Sequence, residues 1–342
     1  MGGKLPRVLA EARNAIRAMV PRGASVLVAC SGGADSLALA AAAAFLHRKG
    51  EIRAGALIVD HGMQEGSNRV AQRAAEQCRT LGLDPVLVLE VQVAGGSEQA
   101  ARSARYEAFE QGLRQTGSDH VLLGHTLDDQ AEQVLLGLGR GSGTLSLAGM
   151  PAARGPYLRP LLSLSRTEIE EICRHESLAY WEDPTNTDPR YLRNRVRHEL
   201  MPVLRAVLGD SVPAALARTA ALARADAQYL DGLAETALED AVLPVAADRP
   251  AMALTLGLER LRAMPGPLRS RVLRLAVARL GAPVPDFERL NALDALVCGS
   301  VSAGPVQLEG PVYATRVAGA RLPAGARAHL RLDATALPHP GS

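Results

Sequence analysis

The sequence predicts an α/β chain, with a parallel, doubly wound sheet followed by a smaller, mainly helical C-terminal domain. Three observations carry that expectation. Short apolar runs at Ser25–Cys30, Ile52–Val59, Val86–Val91 and His120–Gly124 alternate with longer stretches of helical period, as parallel strands joined by crossover helices do. From about Ser211 the composition turns rich in Ala, Leu and Arg, and Leu268–Leu280 and Phe287–Val297 read as amphipathic helices separated at Gly281-Ala-Pro-Val-Pro285. A length of 342 residues with 47% hydrophobic composition suits about two domains with full cores, drawn here as residues 1–205 and 206–342.

In chain order, Leu5, Val8, Leu9, Ala12, Ile16 and Val20 share one face of an N-terminal helix. Its Arg and Glu residues break any continuous apolar run, which predicts neither a signal peptide nor a membrane span. Cysteines at 30, 78, 173 and 298 form no CxxC pair and no regular framework, so zinc, iron–sulfur and secreted disulfide readings are disfavoured and a cytoplasmic setting is expected. With 38 basic against 36 acidic residues, a net charge of +2 does not declare a nucleic-acid partner by itself; any basic footprint must be local. Ligands of doubly wound sheets bind beyond the C-terminal strand ends, which directs attention to Ser31–Ser36, Asp60–Gly62 and His125–Glu132. Past a Gly-rich stretch after Gly139, a helix is predicted from about Arg166 to His175 behind the capping box Ser165-Arg-Thr-Glu168. Another is predicted at Pro189, capped by Asp188. Val306–Leu322 alternates about Gly310-Pro311 as a closing β-hairpin would.

The first strand runs into Ser31-Gly-Gly-Ala-Asp-Ser36 and then an Ala-rich helix. Two glycines let backbone N–H groups approach an anion, and the helix start adds unpaired donors and positive dipole, so the turn suits phosphate. It has neither the Lys of the common NTPase loop nor the spacing of a dinucleotide site. For a generic Gly-Gly pair, a plain strand–turn–helix connection with Asp35 complementing the dipole is the alternative. The full hexapeptide, however, resembles the SGGxDS signature of the PP-loop pyrophosphatases, which split ATP into AMP and pyrophosphate. The resemblance implies that Ser31, Gly32, Gly33 and Ser36 hold pyrophosphate, with Ala34 in the same loop, and that Asp35 places magnesium against the phosphates. Cys30, at a strand end, is expected to pack rather than to act as a nucleophile.

His125-Thr-Leu-Asp-Asp-Gln-Ala-Glu132 opens a helix with Thr126 as N-cap and Ala131, Val134, Leu135 and Leu138 as its buried stripe. Asp128 and Asp129 complement the dipole. Glu132 lies three residues from Asp129 and four from Asp128, so the like charges repel unless a cation sits among them; a metal or ammonium is expected. Further on, a helix from Pro189 would put Arg190, Arg193 and Arg197 on one face and Arg195 on another. Charged stripes are usually solvated, but the interleaved Tyr191 and Asn194 suit phosphate, carboxylate and base contacts.

These strings resemble, in order, the HTxDDxxET, GRGSGxxGLxGM and WxEDPSNxxxxYxRNRxR elements of the tRNA(Ile)-lysidine synthases, the second lying at Gly139–Met150. Ala101-Arg-Ser-Ala-Arg-Tyr106 resembles their ARxxRY element, and Arg159-Pro-Leu-Leu162 also follows as in the family. Departures are Gln133 for the last Thr, Ser146 for a Gly, Thr185 for the Ser, and Tyr180 at the Trp position, with Trp181 one place later. The resemblance spans roughly residues 20 to 205; after about 211 only size and helical character match. It implies a PP-loop fold, catalytic roles for Asp35, Arg102, Asp128 and Asp129, and His125 beside ATP. It further implies magnesium on Asp35 and Asp128, lysine at Asp129 and Glu132, and tRNA at Arg190, Arg193, Asn194, Arg195 and Arg197. Arg102 would reach the α-phosphate, whereas surface and packing roles are expected of Arg105 and Tyr106.

The implied reaction joins L-lysine to C2 of the wobble cytidine of an isoleucine tRNA with a CAU anticodon, through an adenylated base, using ATP and Mg2+. No membrane partner is expected, and a homodimer is one possible assembly. A tRNA thiolase is the rival within PP-loop enzymes, disfavoured by the cysteine spacing. An ATP-sensing binding protein is the rival outside them.

Overall fold

The computed structural model describes residues 6–62, 66–91, 98–141, 143–244, 253–299, 304–308, 310, 312–318 and 327–334. Leu5, Ser142, Pro311 and the 319–322 end of the expected hairpin lie outside the described residues. The chain forms two compact units, Met1–Gly141 with Ser146–Ala221, and Leu222–Ser342 with Ser142–Leu145.

The first unit begins α1 (Arg7–Met19), β1 (Ser25–Ala29), α2 (Ala34–Arg48), β2 (Arg53–Asp60), α3 (Ser67–Leu81), β3 (Val86–Glu90), α4 (Glu98–Thr116), β4 (His120–Leu123) and α5 (Leu127–Arg140). Each predicted strand is present to within a residue at either end. A short ribbon, β5 (Ala153–Arg154) and β6 (Tyr157–Leu158), precedes α6 (Arg166–His175), α7 (Leu192–Arg195), a π-helical turn at Val196–Leu200, α8 (Met201–Leu208) and α9 (Val212–Ala241). The boundary between the two compact units falls inside α9.

The sheet has the order β3-β2-β1-β4-β6-β5 and is parallel except for β5. The chain steps outward from β1 to β3 and then returns to the other flank of β1 at β4. The β1/β4 boundary is therefore the topological switch point, where the departing connections leave a crevice. Side chains alternate along the strands and are buried on both faces. Val26, Val28, Ala56 and Ile58 join the core beneath α1, α2, α3 and α6, while Leu27 and Leu57 meet Phe109 of α4 together with Val121 and Tyr157. The small side chains of α2 leave it buried without interruption from Ser36 to Ala44.

Two expectations change. Asp183 caps a 3-10 turn at Pro184–Thr187, and Asp188 spends its carboxylate on the Arg190 N–H and guanidinium, so no helix starts at Pro189; α7 begins at Leu192. The second unit is helical as expected, with the latter part of α9 included, but it also carries a sheet of more than the one expected hairpin. It contains β7 (Ala253–Gly257), α10 (Leu258–Ala263), α11 (Gly266–Arg279), α12 (Phe287–Cys298), β8 (Val306–Gln307), β9 (Val312–Val317) and β10 (His329–Ala334). Its strands form an antiparallel sheet in the order β7-β10-β9-β8 over a core that includes Leu256, Leu273, Leu293 and Leu330. The expected hairpin is β8 with β9; β7 is short, set in Ala- and Leu-rich sequence, and finds its partner β10 only far along the chain. Among the described residues no single helix is long and apolar enough to cross a membrane.

Gly55 marks a close approach in the central sheet. A Cβ there would stand 2.5 Å from the Pro85 carbonyl oxygen and 3.0 Å from Leu27 Cδ2. Gly55→Ala is expected to destabilise the first unit by about 1–3 kcal/mol, as overpacking does. Chemical unfolding followed by circular dichroism checks this, and an unchanged midpoint would rule out so tight a contact.

Candidate active site

The phosphate-type loop grows directly from β1. Cys30 is buried and its N–H still pairs with the Leu57 carbonyl at 3.0 Å, in keeping with a packing residue. Gly32 then takes φ +83, a conformation that side chains rarely adopt, with Ala74 Cβ 3.3 Å from where its own Cβ would lie. Gly33 precedes the first turn of α2, which Ala34 opens. The Ser36 hydroxyl closes the loop on itself, accepting from Ser31 N–H at 3.1 Å and donating to the Gly33 carbonyl at 2.9 Å.

Across the switch point, Thr126 caps α5 in a reciprocal box: its N–H donates to Asp129 Oδ2 at 2.8 Å while its Oγ1 accepts from Asp129 N–H. A Cβ on Gly124 would meet the Asp35 carbonyl at 3.0 Å, so the glycine lets the end of β4 abut the loop. Two helix starts, each carrying acids, are thereby brought together. Burial pushes the Asp35 carboxyl up to about 7, with the negative charge of Asp129 next in weight and Arg166 and Arg197 opposing it. Burial likewise pushes His125 down to about 4; Asp129 opposes this, while Arg159, Arg193 and Arg102 add to it, so the ring is neutral at neutral pH.

Positive charge beside Asp129 and Glu132 is supplied from within the chain, by the guanidiniums of Arg193 and Arg197. Glu132, whose side chain is 2% exposed, accepts from Arg197 Nε at 2.5 Å on one oxygen and from Arg193 Nε at 2.8 Å and Arg197 Nη2 at 3.1 Å on the other. Both guanidiniums also reach Asp129 Oδ1 at 3.0 Å. Burial alone would raise the Asp129 carboxyl; Arg193, His125, the Thr126 N–H and Arg197 overcome this and hold it below its ordinary range. Asp128 has both oxygens engaged, by Arg166 N–H at 2.8 Å and Arg205 Nη2 at 2.7 Å. Asp35, by contrast, accepts no hydrogen bond on its carboxylate among the described residues.

The expected arginine face is correspondingly corrected. Arg193 and Arg197 turn inward to the acids. Arg190 precedes the helix and pairs with Asp188 at 2.6 Å, and exposed Arg195 pairs with Glu199 at 3.4 Å. Asn194 donates to the Thr185 and Asp188 carbonyls and so ties down the turn before α7. Arg102 is exposed on α4, its guanidinium 5.0 Å over the Tyr106 ring, and Tyr106 packs edge-on against Phe109 and Tyr157. Exposed Arg105 reaches His61 Nε2 at 3.4 Å. Three arginines were given no site role from the sequence: buried Arg159, which holds the Pro151 carbonyl at 2.9 Å, and Arg166 and Arg205 on Asp128. Only the eight-residue interval from Arg197 to Arg205, about two helical turns, hinted at the last.

Asp35, Asp128, Glu132, Arg166, Arg197 and Arg205 line one cavity of about 310 Å³. Three carboxylates facing three guanidiniums suit a ligand that carries both charges.

An acid whose folded-state pKa lies near 7 rather than about 4 binds its proton more tightly when folded, so its ionisation costs stability. That cost is absent at low pH, grows as pH rises from about 4 to about 7, and is full above it. Asp35→Asn should therefore raise the melting temperature of the ligand-free protein at about pH 8 and by much less at about pH 5, while abolishing AMP formation from ATP. Calorimetry at the two pH values with an AMP assay checks both; an equal shift at both pH values would contradict the site described.

The chain matches known proteins along most of its length. Residues 7–204 match the PP-loop domain and residues 256–321 the TilS substrate binding domain. The chain is 49% identical to the tRNA(Ile)-lysidine synthase of Leifsonia xyli subsp. xyli, over 84% of this chain and 86% of that one. It is 46% identical to the enzymes of the same name from Streptomyces coelicolor, over 88% and 85%, and Thermobifida fusca, over 91% and 95%. Among solved structures it is similar in fold to the U34-tRNA thiolase of Methanococcus maripaludis, with a TM-score of 0.53 at 16% identity, covering 62% of this chain and 77% of that one. With a PP-loop domain over more than half its length and relatives of one name matched nearly end to end, the chain belongs to the tRNA(Ile)-lysidine synthase family.

Proposed function

We propose that this chain joins lysine to C2 of the wobble cytidine of an isoleucine tRNA bearing the CAU anticodon, consuming ATP and releasing AMP and pyrophosphate. The observation that carries the reading is the meeting, at one switch point, of the phosphate loop, the uncompensated carboxyl of Asp35 and a cavity of mixed charge.

In the first step the cytosine O2 attacks the α-phosphorus of ATP. The new O–P bond forms as the bond to the β-phosphate oxygen breaks, and pyrophosphate leaves onto Ser31–Ser36, where loop N–H groups and the start of α2 stabilise its charge. Arg102, whose field already reaches His125, neutralises charge at the α-phosphate. Asp35 fits a magnesium site, because its ionisation is opposed by burial and by Asp129 and a cation reverses that penalty; the ion supplies charge neutralisation at the phosphates when bound. Asp128 is reassigned from magnesium to holding Arg166 and Arg205 in the cavity wall.

In the second step the lysine side-chain amine, shedding a proton, bonds to C2 as the C2–O bond breaks and AMP departs. The ammonium has a reference pKa of about 10.4, so a nearby carboxylate favours its binding and opposes its deprotonation. We place the amino acid in the cavity, with Arg166, Arg197 and Arg205 receiving its carboxylate and the field of Asp129 and Glu132 drawing its amines. For tRNA phosphates, Arg190 and Arg195 are the available pair. Their exposed ion pairs are worth little, so a phosphate competes with Asp188 and Glu199.

Incubation with tRNA, ATP and lysine, followed by mass analysis of the nucleosides, tests the reaction; unmodified cytidine would reject it. Within it, Glu132→Gln loosens the hold on Arg197, and loss of a charge-assisted bond is worth roughly tenfold or more. The expected outcome is a lysine KM raised by about that factor, with tRNA-dependent pyrophosphate release in the absence of lysine reduced much less. Equal loss in both half-reactions would put Glu132 with ATP instead.

A further inference from the structure

A second cavity, of about 150 Å³, is walled by Gly32 of the phosphate loop, by Arg69, Val70 and Arg73 of α3, and by Trp181. Nothing in the reaction derived above uses it. Its walls are tied together. Trp181 N–H donates to the Gly32 carbonyl at 2.9 Å, and Gln77 Nε2 donates to the Ala179 carbonyl at 2.8 Å, so the segment 179–181 is fastened to the loop at one end and to α3 at the other.

Arg69 and Arg73 lie four apart, on one face of α3, and both are exposed. Among the described residues no carboxylate lies within ion-pair distance of either, although exposed Arg166 and Arg195 each have one. The Gly32 Cα faces Ala74 and Val70, which gives the cavity an apolar floor. An indole, an apolar floor and two guanidiniums without an acid are the complement of one nucleotide: a flat base to stack and a phosphate to bind. The triphosphate of ATP already has its donors in the loop, so the nucleotide comes from elsewhere.

We propose that this cavity receives an unpaired nucleotide of the tRNA anticodon loop adjacent to the cytidine that is modified, its base on Trp181 and its phosphate on Arg69 and Arg73. The inference rests on the tRNA reading above. It would fix the loop so that the neighbouring cytidine reaches the α-phosphate.

Trp181 is the only tryptophan in the chain, so its fluorescence reports on the cavity directly. The full-length protein is titrated with the anticodon stem-loop RNA and, separately, with ATP and with inorganic phosphate. The RNA is expected to quench the emission and the other two to leave it unchanged. With labelled RNA, Trp181→Ala should weaken binding about tenfold or more, since base–aromatic stacking is worth about 1–3 kcal/mol, while Trp181→Phe retains most of the affinity. Arg69→Ala with Arg73→Ala should weaken binding and flatten its salt dependence by about 0.7 for each phosphate no longer neutralised. ATP affinity, unchanged in all variants, confirms that they are folded. Equal RNA affinity and salt slope in wild type and variants would overturn the proposal while leaving the tRNA reading intact. Quenching by ATP alone, with none from RNA, would overturn it in favour of a nucleotide site. Failure of the wild type to bind the stem-loop at all would overturn both.

Discussion

The Glu132 side chain sits where water scarcely reaches, and the arrangement of this edge of the sheet follows from the guanidiniums that meet it. An unpartnered buried carboxylate is costly enough that it would take up a proton instead. Two guanidiniums partner Glu132 here, and stripping one partner from such a buried set typically costs about 3–5 kcal/mol. Presenting both requires the chain after α7 to keep one side toward α5 for several turns. Residues four apart in an α-helix drift by roughly 40° at each step, so Arg193, Arg197, Met201 and Arg205 would wind away from one another. The π-helical turn at Val196–Leu200 rotates less per residue and takes up much of that drift. Arg193 and Arg197 meet Asp129 and Glu132, Met201 is buried, and Arg205 still reaches Asp128.

The same edge carries a conflict that is left standing. Asp35 and Asp129 open neighbouring helices, each well placed for its own dipole and badly placed for the other. Asp129 is bonded directly by arginines; Asp35 feels Arg166 and Arg197 only through space, and its carboxyl rises toward neutrality. A chain selected for stability alone would have removed that acid. Its place beside a phosphate-type loop fits the magnesium proposed there, since a cation would offset the charge of acid and phosphate together.

What could be read from the sequence alone was whatever depends on local order. The four strands, the loop at Ser31–Ser36 and the cap at Thr126 were legible because apolar period, glycine placement and capping chemistry are written in adjacent residues. The need for a cation beside Glu132 was legible too, from helical spacing alone. Its source was not, because the partners lie 61 and 65 residues away and spacing says nothing about which helix folds against which. The start of α7 was misplaced since Asp188 had two uses, capping a helix or gripping Arg190, and local rules do not choose between them. The sheet of the second unit was missed for the opposite reason: β7 has few β-branched residues and is held by pairing with β10, a contact between distant segments.

The Ser36 hydroxyl, by joining Ser31 N–H to the Gly33 carbonyl, ties the loop to itself through its own side chain. Bonds of this kind lower the ordering cost of nucleotide capture. On the proposed reaction the leaving pyrophosphate meets the same finished cradle that held it as part of ATP. A cradle closed by its own hydroxyl offers the same donors to pyrophosphate as substrate part and as product.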